Sequence, residues 1–189
     1  MALINTTTTG VLGTTVFGDG SGDLTIQQNG VTVNKITSAP AFSAYIAANQ
    51  SATGSAQIIT FNTKVYDSNN CFNNTGSTVT LNGVSVSAYS FGPNVAGYYQ
   101  INCSLPAFDT VSGSAYLLQI YKNGSLFLTG AALPFASGTS TVGGSASQVI
   151  YMNGTSDTVQ IYGRFIGTLP VFSGTATGSI FSAALVRAA

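Results

Sequence analysis

The clearest alternation of apolar and polar positions in the chain covers residues 97–105, GYYQINCSL. Tyr99, Ile101, Cys103 and Leu105 form one row and Gln100, Asn102 and Ser104 the other, so an extended backbone sends the first row into a core and the second outward. Pro93 and Asn94 supply a turn before it, Gly97 admits the chain where a side chain would collide with a neighbouring strand, and Tyr98 stands as one aromatic on the polar row. Comparable β-branched and aromatic runs recur between turn signals at 58–65, 78–89, 116–122, 148–152, 158–165 and 178–186. No stretch carries a helical stripe, and residues 41–52, which follow Pro40 and contain Ser43 and Tyr45, suit an extended entry strand. The pattern predicts an all-β chain whose strand spacing fits a sandwich or barrel.

Residues 1–39 read differently. Thr6-Thr7-Thr8-Thr9-Gly10 leads to Phe17-Gly18-Asp19-Gly20-Ser21-Gly22-Asp23, after which Leu24, Ile26 and Gln28 alternate with Thr25 and Gln27 up to Asn29-Gly30 and Val31-Thr32-Val33. Asn-Gly between two such runs is a strong hairpin signal. A hairpin alone is only marginally stable. This segment therefore reads as an arm whose Leu24, Ile26, Val31 and Val33 complete another sheet edge, ahead of a head domain at 40–189. The aspartates in 18–23 lack the repeat of a calcium-binding roll and read as a tight turn.

Several strands of the head are apolar on both faces. Tyr116, Leu118 and Ile120 back onto Leu117 and Tyr121, and Val149 and Tyr151 back onto Ile150 and Met152. A sandwich strand has one inward face, so the second apolar face predicts a further partner.

Phe91 followed by Gly97-Tyr98-Tyr99-Gln100-Ile101 resembles the Phe…Gly-x-Tyr-x-(Phe/Ile) signature of the globular head of complement component 1q, a trimeric jelly roll of the tumour necrosis factor type. Other pieces follow in that family's order: Pro40-Ala41-Phe42-Ser43-Ala44, Phe61-Asn62, Lys122-Asn123-Gly124, Asn153-Gly154 with Asp157 before Val159, and Phe181-Ser182-Ala183. The resemblance spans about residues 40–189 and departs from the pattern between Cys71 and Ser90, where Asn73-Asn74-Thr75-Gly76 and Asn82-Gly83 add turn material. It implies a jelly-roll β-sandwich head and a homotrimer, with Tyr98, Leu117, Tyr121, Ile150 and Met152 at the threefold interface.

Composition sharpens this reading. Only 5% of the 189 residues are charged, the formal net charge is +0, and mean hydropathy is +0.33. Solubility then cannot rest on charge repulsion, and apolar surface beyond one core calls for cover by other subunits. Lys35, Lys64, Lys122, Arg164 and Arg187 are scattered, which argues against nucleic acid. No apolar run approaches the ~20 residues of a membrane helix. The Met1-Ala2-Leu3-Ile4 start lacks the features of a secretory signal, so the expectation is synthesis and retention in a cytoplasm.

The chain contains no His and no Glu, which removes the commonest general base and metal ligand and the usual glycosidase acid. Asp19, Asp23, Asp67, Asp109 and Asp157 sit in turn-like contexts. Cys71 and Cys103 allow one disulfide or two thiols; their spacing is neither a zinc nor a redox motif, and thiols are favoured. Asn-x-Ser/Thr sequons are numerous because Asn, Ser and Thr are, and exposed tyrosines such as Tyr45, Tyr66 and Tyr89 read first as packing groups. No enzyme, cofactor or metal is expected. A small apolar head behind a Thr/Gly-rich arm resembles the decoration and fibre proteins of tailed bacteriophages. It implies a virion structural protein on the outer surface of the capsid, bound to the major capsid protein or another virion protein. The alternative is a receptor- or glycan-binding tip that uses the loops around 67–76 and 134–145 on a host-surface glycan.

Overall fold

The structure, a computed structural model, describes residues 14–18, 24–28, 31–36, 39–109, 113–130, 133–134 and 140–189. The chain divides into two compact units, Met1–Ala39 and Pro40–Ala189. In the first, β1 (Thr14–Gly18), β2 (Leu24–Gln28) and β3 (Val31–Ile36) form an antiparallel sheet in that order. Gln28 pairs with Val31, the spacing that a two-residue Asn-Gly loop serves. The sequence reading missed β1, whose pairing from Thr14↔Gln28 to Gly18↔Leu24 supplies the third strand that a lone hairpin lacks. The side chains of Leu24, Ile26, Val31 and Val33 lie outside the described residues, as do Asp19 and Asp23.

The second unit consists of β4 (Ala41–Tyr45), β5 (Gln50–Ser51), β6 (Gln57–Ile58), β7 (Thr63–Asp67), β8 (Val79–Leu81), β9 (Val84–Val86), β10 (Gly97–Asp109), β11 (Gly113–Lys122), β12 (Ser125–Thr129), β13 (Leu133–Pro134), β14 (Ser140–Met152), β15 (Val159–Gly167), β16 (Pro170–Phe172) and β17 (Ile180–Ala188). No helix occurs among the described residues. The larger sheet runs β5-β16-β10-β17-β4-β7, and β14 pairs with β10 along its whole length, from Gly97↔Met152 to Asp109↔Ser140. The smaller sheet runs β12-β11-β15-β6, with β13 also on β11. All these pairings are antiparallel.

β10 carries the fold as its alternation predicted. Tyr99, Ile101, Cys103, Leu105 and Ala107 are buried, and they meet Tyr116, Leu118, Ile120, Val159, Ile161 and Phe165 of the opposite sheet in one core. At its start, a Cβ on Gly97 would stand 2.5 Å from the Arg187 carbonyl oxygen, so only hydrogen fits beside β17. An aromatic cluster fills one part of the core. Phe42 stacks on Phe72 with centroids 4.3 Å apart and meets Phe181 edge-on at 4.9 Å, while Phe91 lies edge-on to Tyr99 at 5.2 Å. Such pairs contribute about 0.5–1.5 kcal/mol each beyond their burial. The two largest polar intruders are satisfied, the Tyr99 hydroxyl donating to the Val95 carbonyl and the Tyr116 hydroxyl to the Leu105 carbonyl, both at 2.8 Å.

Two sequence expectations change. The single strand expected at 78–89 is the hairpin β8–β9, because Asn82 and Gly83 adopt φ of 47° and 81° and reverse the chain. On β14 the faces are inverted: Ile150 and Met152, expected at a subunit interface, are buried in the core, and Val149 and Tyr151 point outward. Register decides this. β14 pairs Tyr99 with Ile150 and Tyr98 with Tyr151, so Ile150 must share the inward row of Tyr99.

Candidate interaction surface

The outward face of the larger sheet can be read row by row from its register. One row crosses five strands as Tyr66, Ser43, Ser182, Asn102 and Ser147. On one side of it lie Tyr45, Ile180, Ser104 and Ser145, and on the other Ala41, Ala184, Gln100 and Val149. The last row holds Arg187, Tyr98 and Tyr151. Of all these residues only Arg187 is charged. The centre is a shelf of small side chains, and the ends are apolar and aromatic: Tyr98 and Tyr151 are 47% and 43% exposed, with ring centroids 5.4 Å apart. Between Asn102, Ser104, Ser145, Ser147 and Ile180 the shelf dips into a groove of about 240 Å³.

Three polar side chains of the shelf are paired with one another. Gln100 Nε2 donates to Ser147 Oγ at 2.8 Å and to Asn102 Oδ1 at 3.2 Å, and Ser147 Oγ donates to Asn102 Oδ1 at 2.8 Å. Side chains that close their hydrogen bonds on one another can be covered by apolar groups with little loss.

β-Bulges shape the apolar rim. Where β10 meets β17, β11 meets β12 and β4 meets β7, the register slips by one residue, and the extra residue is Val186, Phe127 or Val65. These three are 61%, 49% and 64% exposed, and beside two of them Leu126 and Tyr66 are exposed as well. A bulge re-aims the side chain it inserts, here outward. The sequence reading missed β12 and its Leu126–Phe127 pair, although the Asn123-Gly124 turn followed by an uncharged SLFLT run was the available signal.

The expected interface residues are thus divided. Tyr98 lies on the exposed face, Leu117 and Tyr121 are half-buried on the outer side of the smaller sheet, where Tyr121 stacks on Tyr162 at 4.0 Å, and Ile150 and Met152 belong to the core. The 134–145 segment, offered as a loop, includes the start of β14 from Ser140 onward.

The titratable groups are held in structural roles. Asp157 accepts from Lys122 Nζ at 2.8 Å, Asn123 Nδ2 at 2.8 Å and the Asn153 N–H at 3.0 Å, joining the β11–β12 turn to the β14–β15 loop. Burial pulls its pKa up, but the Lys122 ammonium, the Asn123 amide and the Asn153 N–H outweigh it, and the net shift is downward from 3.8. Asp67 is lowered in the same way: burial is offset by Lys64 Nζ at 2.7 Å and by the Cys71 N–H and thiol. Asp109 is buried and accepts the Leu169 N–H. Cys71 and Cys103 are unbonded buried thiols, both pushed up by desolvation and so kept from the nucleophilic thiolate form. Among the described residues no three His, Cys, Asp or Glu side chains gather as a metal site.

No family model and no curated protein matches this chain. Solved structures do. The globular domain of zebrafish complement 1qA is 21% identical with a TM-score of 0.53, over 80% of this chain and 99% of that one. Eiger TNF from S. frugiperda is 8% identical with a TM-score of 0.56, over 80% and 95%. Murine APRIL at pH 5.0 is 8% identical with a TM-score of 0.51, over 78% and 99%. Together with the two packed antiparallel sheets, these likenesses make the fold of residues 40–189 a jelly roll of the complement 1q and tumour necrosis factor type.

Proposed function

We propose that this chain is a non-enzymatic structural subunit of a bacteriophage particle: a homotrimeric jelly-roll head on the outer surface of the capsid, attached through the N-terminal unit to the major capsid protein or another virion protein. The observation that carries the reading is the outward face of the larger sheet, which bears one charge and an exposed rim of Tyr66, Tyr98, Val149, Tyr151 and Val186. A face of this kind on a chain with 5% charged residues is covered in a stable assembly. Assembly through it accounts for the low charge, and the absence of His and Glu from the sequence supports a structural role over a catalytic one.

Attachment through the first unit is supported by its being a compact unit of its own and by the terminal strands of its sheet, β1 and β3. Adding a strand to an edge gives backbone affinity without charge. The test has two parts. Analytical sedimentation of the full chain at low concentration is expected to give three copies, and a dominant folded monomer would sink the homotrimer. Deleting residues 1–37 is expected to leave the oligomer intact and abolish co-sedimentation with particles stripped of the native protein; a truncated head that still binds at full occupancy moves the docking surface onto the jelly roll. Binding to host glycans in place of particles would favour the receptor-tip reading.

A further inference from the structure

We infer that the outward face of the smaller sheet is a binding site for an acidic sugar chain, with Arg164 taking the carboxylate, Tyr162 the sugar ring, and Gln160 and Gln119 its hydroxyls. The inference adds a ligand to the structural role proposed above and depends on neither the trimer nor the arm.

Register gathers these groups. β15 buries Val159, Ile161, Gly163 and Phe165 and turns Gln160, Tyr162 and Arg164 outward, all three half-buried. At a strand rise of ~3.3 Å per residue the row is about 13 Å long. On β11, Gln119 pairs with Tyr162 and Tyr121 with Gln160, so both share that face. The rings of Tyr121 and Tyr162 stack at 4.0 Å with their planes 24° apart. Both ends of the row are pinned from loops: Arg164 Nε donates to the Gly54 carbonyl at 2.8 Å, between β5 and β6, and Gln160 Nε2 to the Ala88 carbonyl at 2.9 Å, beyond β9. Each bond fixes a side chain while leaving the terminal Arg164 nitrogens and Gln160 Oε1 without a protein partner among the described residues. Groups held in place beforehand lower the ordering cost of binding.

The charge of Arg164 is also unanswered. Lys64 and Lys122 are paired with Asp67 and Asp157, whereas the half-buried Arg164 meets no carboxylate among the described residues. A partly buried guanidinium gains more from an anion than one in open water, and its planar fork fits a carboxylate through two parallel bonds. Gln119 supplies a second unmet group. Its Oε1 is buried without a donor, and its Nε2 reaches Thr129 Oγ1 only at 3.4 Å, so the amide is held loosely enough to turn toward an arriving hydroxyl.

One ligand chemistry answers all of these groups. A sugar acid brings a carboxylate for the guanidinium, hydroxyls that donate to the amide oxygens, and an apolar C–H face for a tyrosine ring. A nucleic acid would need more than one cation on the face. An inorganic anion would leave the tyrosines and amides unused, and a peptide adding as a strand needs an open edge, which the inner strands β11 and β15 lack. The loop around 67–76 is the poorer place, because the Asn69, Asn73 and Asn74 amides already bond Asn94 Oδ1 and the Ser77 and Asn62 carbonyls. The face lies on the side of the sandwich opposite the apolar one that assembly covers, so it stays open in an oligomer, where several copies multiply a weak single-site affinity.

The experiment titrates the full chain by calorimetry with oligogalacturonate, oligoalginate and oligohyaluronate, against methyl-esterified oligogalacturonate, poly-aspartate and sodium phosphate. At least one acidic saccharide is expected to bind with a dissociation constant of about 1 mM or tighter, and the three controls are not. Raising the ionic strength from about 0.05 to 0.5 M is expected to weaken that binding several-fold. Arg164→Gln and Tyr162→Ala, each first checked by thermal melting, are expected to weaken it by roughly tenfold or more. Arg164→Lys keeps the charge without the fork and is expected to recover only part of the loss. Arg187→Gln, on the other sheet, is expected to change nothing. Silence of all three saccharides, equal binding of the methyl ester, poly-aspartate or phosphate, or full binding by Arg164→Gln overturns the inference. If Tyr162→Ala fails to fold, saturating the tyrosine ring protons of the wild-type chain by NMR is expected to transfer to sugar C–H protons, and no transfer counts against the site. The trimer and the arm are read separately, by sedimentation and by co-sedimentation with particles, so failure here is distinct from theirs.

Discussion

Asn73 is almost wholly buried in the segment between β7 and β8, and its Nδ2 lies 2.7, 3.0 and 2.8 Å from the carbonyl oxygens of Ser77, Val86 and Ser87. Its Oδ1 accepts the Thr75 N–H at 2.9 Å. One amide thus organises the turn material by which this chain departs from the complement 1q pattern. Asn73→Ala is expected to cost about 1–3 kcal/mol by leaving those carbonyls dry and unpaired. Asn73→Asp, which aims a carboxylate at the same oxygens, is expected to cost more; denaturant melts that rank the two the other way would overturn this account. Asp157 gives a second prediction. Its folded pKa lies below its unfolded value near 3.8, so its contribution is complete above that value and fades as pH falls through the folded pKa. Asp157→Asn is therefore expected to lower the melting temperature at pH 7 and to matter less and less as pH falls below 3.8 through the folded pKa, where the wild-type carboxyl becomes neutral as well.

At the scale of elements, β10 tests the whole reading of faces. Tyr99→Ala or Ile101→Ala is expected to cost about 2–5 kcal/mol, enough to prevent folding of a marginally stable domain, and an unchanged thermal melt would contradict the burial of that row. This strand was legible because a polar residue separates each inward one from Tyr99 to Leu105. β14 was legible only in part: its first half is Ser, Thr, Gly and Ala around a single Val142, with no apolar period, and in its second half both rows are apolar, so only pairing with β10 could say that Ile150 and Met152 point inward. β12 escaped because its bulge breaks the two-residue period that reveals a strand. The same bulges place Val65, Phe127 and Val186 outside. The jelly roll itself was readable from sequence order, and the surface it presents was not.

For the whole molecule, an oligomer held by these surfaces is expected to be nearly indifferent to salt. Sedimentation at ionic strengths of about 0.05 and 0.5 M should agree, and dissociation at the higher value would point to ion pairs the described residues do not offer. The order of the larger sheet has a consequence of another kind, for how the head comes to be made. β17, the last strand in the chain, lies between β4, the first of the head, and β10. On a ribosome β4 and β7 emerge early and wait, because the strand that joins them to β10 is synthesised after all the other strands of the head. Until residues 180–188 are released, the sheet exists as two halves with a strand-wide slot between them. Folding is thereby deferred until β17 has emerged and slowed by contacts that span nearly the whole head. Removing β17 would open the sheet through its middle instead of trimming its edge.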